Sequence, residues 1–394
     1  MENKGNGIMA EALAAKDRVV NLRRRLHRVA EAGFDLDKTL GVVTDELKRL
    51  NIDFKRCGKA GITATIGHGN GRCVLLRADM DALPLNEKSK IKYKAENGYM
   101  HACGHDMHTA MLLGAAEILK AGESKIHGTV KLMLQPAEEI LEGALNMIKD
   151  GALDDPKPDC AIMLHVISGK GLESGKLIIP SAGIGAPAAQ YFKITVRGKG
   201  CHGSSPTDGR DPLTVAARIL LGMEEIQARE LSLKEQAVIT VGKLTAGTVA
   251  NAIADTAVME GSVRAYDDGL MDKIKERIKE IATCISDGYH TVCDVEFTHS
   301  CPTFVNDAYL SQQIYGYACD LLGKENVILT SERGGGSEDF SYVSQLIPTA
   351  MVALPASSID AYPLHHPGVV FDERALPFGV SAYAYFALRM TEKI

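Results

Sequence analysis

The sequence predicts an α/β protein: a largely parallel sheet with helices on both faces, interrupted by an inserted ferredoxin-like α+β domain. Three observations predict it. Apolar runs of strand length at 73–77, 129–134 and 160–165 alternate with helix-like stretches at 109–120 and 143–150, the order that builds a parallel sheet. From 189 to 300 the order changes to strand, helix, strand, strand, helix, strand, which is the split βαβ pattern. A chain of 394 residues also exceeds one hydrophobic core, so roughly two domains are expected.

The elements follow in order. An amphipathic pattern near 9–30 predicts an opening helix, and 109–120 is apolar at helical spacing. In the inserted segment the strands are 191–197, 237–245, 256–266 and 291–298, with helices at 212–227 and 270–288. Beyond Cys301 helix and strand patterns return, ending in a strand at 349–354 and a helix after Asp372. These last elements complete the first domain, which therefore comprises 1–188 and 301–394.

Composition narrows the function classes. The hydrophobic share is 45%, the charged share 24% and the net charge -6, an ordinary globular balance with no basic run for nucleic acid. The first residues lack a signal-type apolar region, and no stretch of about 18 apolar residues marks a membrane span. A cytoplasmic address is expected. Nine cysteines, an odd number without framework spacing, read as reduced thiols.

One cysteine stands among possible ligands. MHACGHDMHT at 100–109 packs His101, Cys103, His105, Asp106 and His108 into the start of the helical run, and thiolate, imidazole and carboxylate are the groups that hold zinc-like cations. In parallel sheets ligands sit beyond the carboxyl ends of strands. Asp81 follows the first strand, Glu138 and Glu139 the second, and His165 ends the third. Successive side chains of an extended segment point to opposite faces, so two adjacent glutamates need a local bend to share one site. One could bind metal while the other takes a proton from an activated water; the alternative is a solvated acidic turn. His365 and His366 lie in a proline-stiffened loop, where one reads as a ligand and the other as a neighbour.

Other candidates lie apart. His202 sits in a glycine-flanked loop, a plausible mobile donor. Asn251, Arg264 and the glycine-rich run with Gly336 and Ser337 offer amide, guanidinium and backbone N–H groups for a substrate carboxylate. A strand-edge arginine and an ordinary flexible loop are the alternatives.

Together, LRADMDALP (76–84), MHACGHDMHT (100–109), QPAEE (135–139), His165, GKGCHGSSP (198–206), SEDF (337–340) and HHPGVVFDERAL (365–376) resemble the aminoacylase and carboxypeptidase metallohydrolase family. The resemblance is to its branch of N-acyl-amino-acid, hippurate and auxin-conjugate amidohydrolases. It implies two divalent ions per subunit, Mn, Zn, Ni or Co, held by Cys103, His105, Glu139, His165 and His365. The family's late histidine stands two residues before a proline, which selects His365 over His366. Glu138 matches the catalytic base, Asp81 an acid behind the ligands, and His202 a histidine thought to reach a partner subunit's site. The inserted domain, 189–300, then resembles a lid that carries the contact of a homodimer or higher oligomer. Two departures, Ala30 in place of a proline in His27-Arg28-Val29-Ala30-Glu31 and a missing proline-rich loop after His165, bear on the pocket rather than the chemistry.

The expected reaction is hydrolysis of an N-acyl-L-amino acid or peptide, a small-molecule substrate, by a metal-activated water. The alternatives are a dipeptidase, a carboxypeptidase or an N-acetyl-diaminopimelate deacetylase of the same family. A hydrolase using Cys103 as nucleophile, or a metal-binding protein without activity, are rivals of other classes.

Overall fold

The computed structural model describes residues 4–172, 174–358 and 361–392. The chain divides into two units, one formed by Met1–Gly185, Val305–Arg333 and Asp339–Ile394, the other by Ala186–Phe304 and Gly334–Glu338.

The first unit is an eight-stranded sheet in the order β1-β2-β4-β3-β5-β16-β6-β15. Its strands are β1 (Phe54–Cys57), β2 (Gly61–Ile66), β3 (Cys73–Asp79), β4 (Thr129–Gln135), β5 (Cys160–Ile167), β6 (Leu177–Pro180), β15 (Val327–Thr330) and β16 (Thr349–Pro355). Two short strands, β7 (Gly183–Ala186) and β14 (Phe304–Asn306), lie where the chain passes between units. The centre, β4-β3-β5-β16, is parallel, and every residue of β3 is buried, as expected for a strand covered on both faces. The antiparallel strands β1 and β2 add a rim that the sequence pattern does not reveal, because short edge strands lack a long apolar run.

The helices of this unit are α1 (Lys4–Arg28), α2 (Asp37–Arg49), α3 (His105–Ala121), α4 (Gly143–Lys149), α7 (Ala308–Leu322), α8 (Ser341–Ser344) and α9 (Leu376–Thr391). Helix α3 is buried almost all round, because it packs between α1 and α9. On the other layer α4 lies against β4 and α8. Among the described residues no helix is long and apolar enough to cross a membrane.

The chain winds from β3 to β4 in one direction and from β4 to β5 in the other, so β3 and β5 flank the point where strand order reverses. Crevices form there. Pairing of β3 with β5 stops at Arg77 and Met163 although both strands continue. The released backbone is partnered by side chains: Tyr383 Oη accepts from Leu164 N at 2.9 Å and donates to Arg77 O at 2.5 Å. His108 Nε2 accepts from Val166 N at 2.8 Å.

A buried charge network ties α1 to the first turn of α3. Arg23 Nε lies 2.6 Å from Asp106 Oδ2. His27 Nδ1 is 2.8 Å from the same oxygen, and His27 Nε2 is 3.1 Å from Glu87 Oε2. Carboxylates accept only, so both ring nitrogens donate and His27 is an imidazolium. Burial and the neighbouring Arg23 guanidinium, whose Nη2 is 3.4 Å from His27 Nδ1, oppose that charge, but Asp106 and Glu87 raise the histidine above its ordinary range.

The second unit has β8 (Ala188–Arg197), β9 (Cys201–His202), α5 (Pro212–Glu225), β10 (Ala237–Ala246), β11 (Ala252–Ile253), β12 (Thr256–Ala265), α6 (Asp268–Gly288) and β13 (Val292–Cys301). Its antiparallel sheet runs β10-β12-β8-β13, the ferredoxin-like order. Apolar residues of α5 and α6, among them Ile219, Met223, Ile274 and Ile278, join Ile194, Val196 and Met259 of the sheet in one core. The glycine-rich run 334–338 groups with this unit rather than with the rest of the C-terminal segment, where Tyr266 Oη donates to Gly334 O at 2.5 Å.

His27 binds its proton more tightly folded than unfolded. Its contribution to stability is therefore complete below the unfolded value of 6.5 and is lost as pH rises through the raised folded value. Urea unfolding midpoints of the parent should fall as pH rises above the unfolded value of 6.5, and the fall should be shallower in His27→Gln. Identical pH slopes for the two proteins would refute a charged His27.

Candidate active site

The two glutamates come together because the chain turns sharply after β4. Ala137 takes a left-handed φ of 54°, a conformation unusual for a residue with a Cβ, and the backbone N–H groups of Glu138 and Glu139 then point the same way. Asp81 collects both: Oδ1 accepts from Glu138 N at 3.1 Å and Oδ2 from Glu139 N at 3.2 Å. The turn is also held from behind. Gln135 Nε2 donates to Asp339 Oδ1 at 2.6 Å, and Ala144 N to Asp339 Oδ2 at 2.9 Å. Gly143 packs so closely that a Cβ there would stand 1.6 Å from Pro136 O. Glu138 is buried and Glu139 partly so.

Cys103 and His105 arrive at the amino end of α3 around Gly104, whose φ of 87° and a Cβ clash with Val166 at 2.3 Å exclude other residues. His105 Nδ1 donates to Asp81 O at 2.9 Å, leaving Nε2 buried without a hydrogen bond. That nitrogen lies 3.9 Å from Glu138 Oε2 and 3.8 Å from Glu139 Oε1. His165 Nδ1 donates to Val166 O at 2.7 Å, and its Nε2 is 3.6 Å from Cys103 Sγ. His365, with a φ of 63°, has Nε2 3.6 Å from Glu139 Oε2. His366 turns elsewhere: it stacks on Tyr362, and its Nδ1 accepts from Gly368 N at 3.0 Å.

Potential ligand atoms of Cys103, His105 and His165 lie within 4.8 Å of one another, as do those of Cys103, Glu139 and His365 and those of His105, Glu138 and Glu139. The first two sets share Cys103. Burial, reinforced by Glu139, pushes the Cys103 thiol up, and burial beside His108 pushes His165 down to about 3. An unassisted Cys103 is thus a neutral thiol and a poor nucleophile, whereas a neutral His165 suits a cation. His105 Nε2 makes no hydrogen bond but faces Asp79 Oδ2 at 3.5 Å; burial opposes a charge on His105, and Asp79 and Asp81 hold it above its ordinary range.

Sequence reasoning missed the residues behind this layer. Asp79 bonds Arg77 Nη1 at 2.7 Å and His108 Nδ1 at 2.6 Å; burial works against its charge, but Arg77 first, then His105 and His108, hold it well below the usual carboxylate range. Asp79 stands two residues before Asp81, a spacing that puts strand side chains on one face and could have flagged it. Nothing local announces Asp339 as the partner of Gln135. His101 is buried with neither ring nitrogen hydrogen-bonded, and burial pushes it down to about 3.

In the second unit His202 and Asn251 are neighbours. His202 pairs across β9 and β11 with Ala252, and Gly203 N donates to Asn251 O at 2.8 Å. Arg264 lies near the far end of β12, its guanidinium over the Tyr191 ring at 5.1 Å. At strand rise it is roughly 26 Å from the start of β12, so one small ligand does not touch both ends within this unit. Gly336 is exposed and Ser337 partly buried in the run 334–338.

An α/β sheet with two overlapping donor sets gathered at its switch point and a buried glutamate beside them is the arrangement of a metal-dependent hydrolase of amide bonds. The chain belongs to peptidase family M20/M25/M40, whose model matches residues 75–389. It is 33% identical over 367 residues to N-acetyl-L-cysteine deacetylase of Bacillus subtilis (strain 168), covering 91% of this chain and 84% of that one. It is 32% identical over 382 residues to IAA-amino acid hydrolase ILR1-like 4 of Arabidopsis thaliana, covering 95% and 86%. With Thermostable carboxypeptidase 2 of Saccharolobus solfataricus it shares 33% over 389 residues, 96% of each chain. The solved structure of the Bacillus subtilis YXEP protein, a dinuclear metal binding peptidase from the M20 family, superposes with a TM-score of 0.78 at 28% identity, covering 97% of this chain and 99% of that one.

Replacing Asp81 with asparagine leaves one oxygen for two buried N–H groups. Asp81→Asn should therefore lose about 1–3 kcal/mol of stability, read as a lower denaturation midpoint; an unchanged midpoint would show that the carboxylate does not hold the turn.

Proposed function

We propose that this protein hydrolyses the amide bond of N-acyl-L-amino acids, releasing a carboxylic acid and a free amino acid, with Glu138 as general base. The observation that carries the reading is the pair of donor sets sharing Cys103 with the buried Glu138 beside them. Cys103, His105, Glu139, His165 and His365 would hold two divalent ions, Mn, Zn, Ni or Co; thiolate and imidazole fit such cations, and the buried His105 Nε2, which makes no hydrogen bond, supports the assignment. When bound, such a pair activates water and polarises the substrate carbonyl.

The chain's own residues supply the remainder. Glu138 takes the proton of the attacking water and returns it to the leaving nitrogen. Asp81 keeps Glu138 aimed by holding its backbone N–H. His202 hydrogen-bonds the oxyanion of the tetrahedral intermediate, while Asn251, Arg264, Gly336 and Ser337 recognise the substrate carboxylate. Residues 1–188 and 301–394 serve as the catalytic domain, and 189–300 as a lid that joins subunits in a homodimer or higher oligomer. His202 and Asn251, neighbours just before β12, would serve a partner's site, and Arg264, near the far end of β12, its own.

A carboxypeptidase or dipeptidase activity is the second reading, favoured by the likeness to a thermostable carboxypeptidase. Initial rates on N-acetyl, N-benzoyl and dipeptide substrates separate the two, the first reading expecting the acylated amino acids to turn over faster.

Glu138→Gln should reduce kcat by about 10²–10⁴ while elemental analysis finds the parent's metal content. Chelation should abolish activity, and added cation should restore it. Near-parent turnover by Glu138→Gln would overturn the mechanism, and activity that survives chelation would favour a cysteine nucleophile.

A further inference from the structure

We propose that His108 is a positioning residue that fixes the aim of His165, through a buried relay that begins at Arg77 and Asp79. The inference rests on reading His165 as a ligand. Ligand atoms of Asp79, His105 and His108 also lie within 4.8 Å of one another, and the hydrogen bonds of His108 give it a different part.

The relay follows from the hydrogen bonds. Arg77 Nη1 donates to Asp79 Oδ2 at 2.7 Å. Asp79 Oδ1 is 2.6 Å from His108 Nδ1, and a carboxylate accepts, so His108 donates there. On its far side His108 Nε2 receives the N–H of Val166 at 2.8 Å. A backbone N–H can only donate, so Nε2 carries no proton and His108 is the neutral Nδ1–H tautomer. Both its nitrogens are spent, which excludes it from holding a cation in this arrangement.

Val166 is the link to His165. Its C=O receives the His165 Nδ1–H at 2.7 Å, leaving His165 Nε2 with a lone pair 3.6 Å from Cys103 Sγ. The Val166 backbone is therefore gripped from two sides, its N–H by His108 and its C=O by His165. The two rings also meet directly, with centroids 4.6 Å apart at 61°. On one side the segment stays paired with β16 through Ile167; on the other the ladder between β3 and β5 has already ended at Arg77 and Met163. Ordinary sheet pairing to β3 does not hold Val166, so a side chain does.

Asparagine and glutamine divide the two functions of His108. In His108→Asn the amide can still donate to Asp79, but it falls short of the Val166 N–H. In His108→Gln the Oε1 reaches the place of Nε2 and can accept that N–H. The test uses full-length purified protein, stripped of metal and titrated with Co²⁺ against a chromophoric chelator, with the visible spectrum of the cobalt protein recorded for parent, His108→Asn, His108→Gln and His165→Ala. We expect His108→Asn to bind Co²⁺ about 10–100-fold more weakly with a shifted ligand-field spectrum, and His108→Gln to resemble the parent in both. Parent-like affinity and spectrum in His108→Asn, alongside weakened binding in His165→Ala, would overturn this inference alone. Parent-like binding in His165→Ala would overturn the ligand reading beneath it. If circular dichroism shows His108→Asn unfolded, the decision passes to His108→Gln: a folded variant with the same loss and spectral shift refutes the role of the Val166 N–H.

Discussion

The separation of β3 from β5 beyond Arg77 and Met163 is the constraint on which the site depends. Two neighbouring parallel strands that stay paired to their ends leave no room between them. Here they part while both continue, and the opening falls at the reversal of strand order, where α/β sheets bind ligands. Parting has a cost, because buried backbone donors and acceptors lose their ladder partners. Tyr383 and His108 take those positions, one bridging Leu164 N and Arg77 O, the other receiving Val166 N. Both come from helices packed on one side of the sheet, so helix packing and crevice opening are one structural fact.

A second theme is the use of acids as backbone acceptors rather than as exposed charges. Asp81 takes two N–H groups from the glutamate turn, and Asp339 takes one from Ala144 and a side-chain amide from Gln135. A carboxylate that receives several N–H groups fixes the geometry around it. Asp106 performs the same service at α3 through Arg23 and His27. The groups with hydrolytic potential thus rest on a layer of buried carboxylates, each matched to cations or N–H donors. Such support holds reacting groups to small tolerances.

Much of this was legible before folding. The strands β3, β4, β5 and β16 and the helix α3 coincide with apolar runs read from the sequence, each displaced by a few residues at its ends. Elements of the inserted unit were legible for the same reason, since period and length are local properties of the chain. Unread were β1, β2, β6 and β15, short strands toward the sheet's margins that leave little apolar signal, and α2, whose Leu40, Val43 and Leu47 do recur at helical spacing. Among site residues, Cys103, His105, Glu138, Glu139, His165 and His365 stand close together in the fold. Asp79 and Asp339 received no role of their own, and His108 was named only as a possible ligand of the cluster, because their importance lies in what they touch.

The sheet-forming runs, the glutamate pair that demands a bend and the family motifs can be read from the chain alone, because side-chain chemistry and periodicity are written residue by residue. It takes the folded chain to show that Ala137 supplies the bend, that Asp81 spans both glutamate N–H groups, and that His108 receives the Val166 N–H while His165 bonds the Val166 C=O. The physical reason is that a histidine's role is set by which donors and acceptors face its two nitrogens. Those partners come from Asp79, Val166 and Cys103, tens of residues away along the chain.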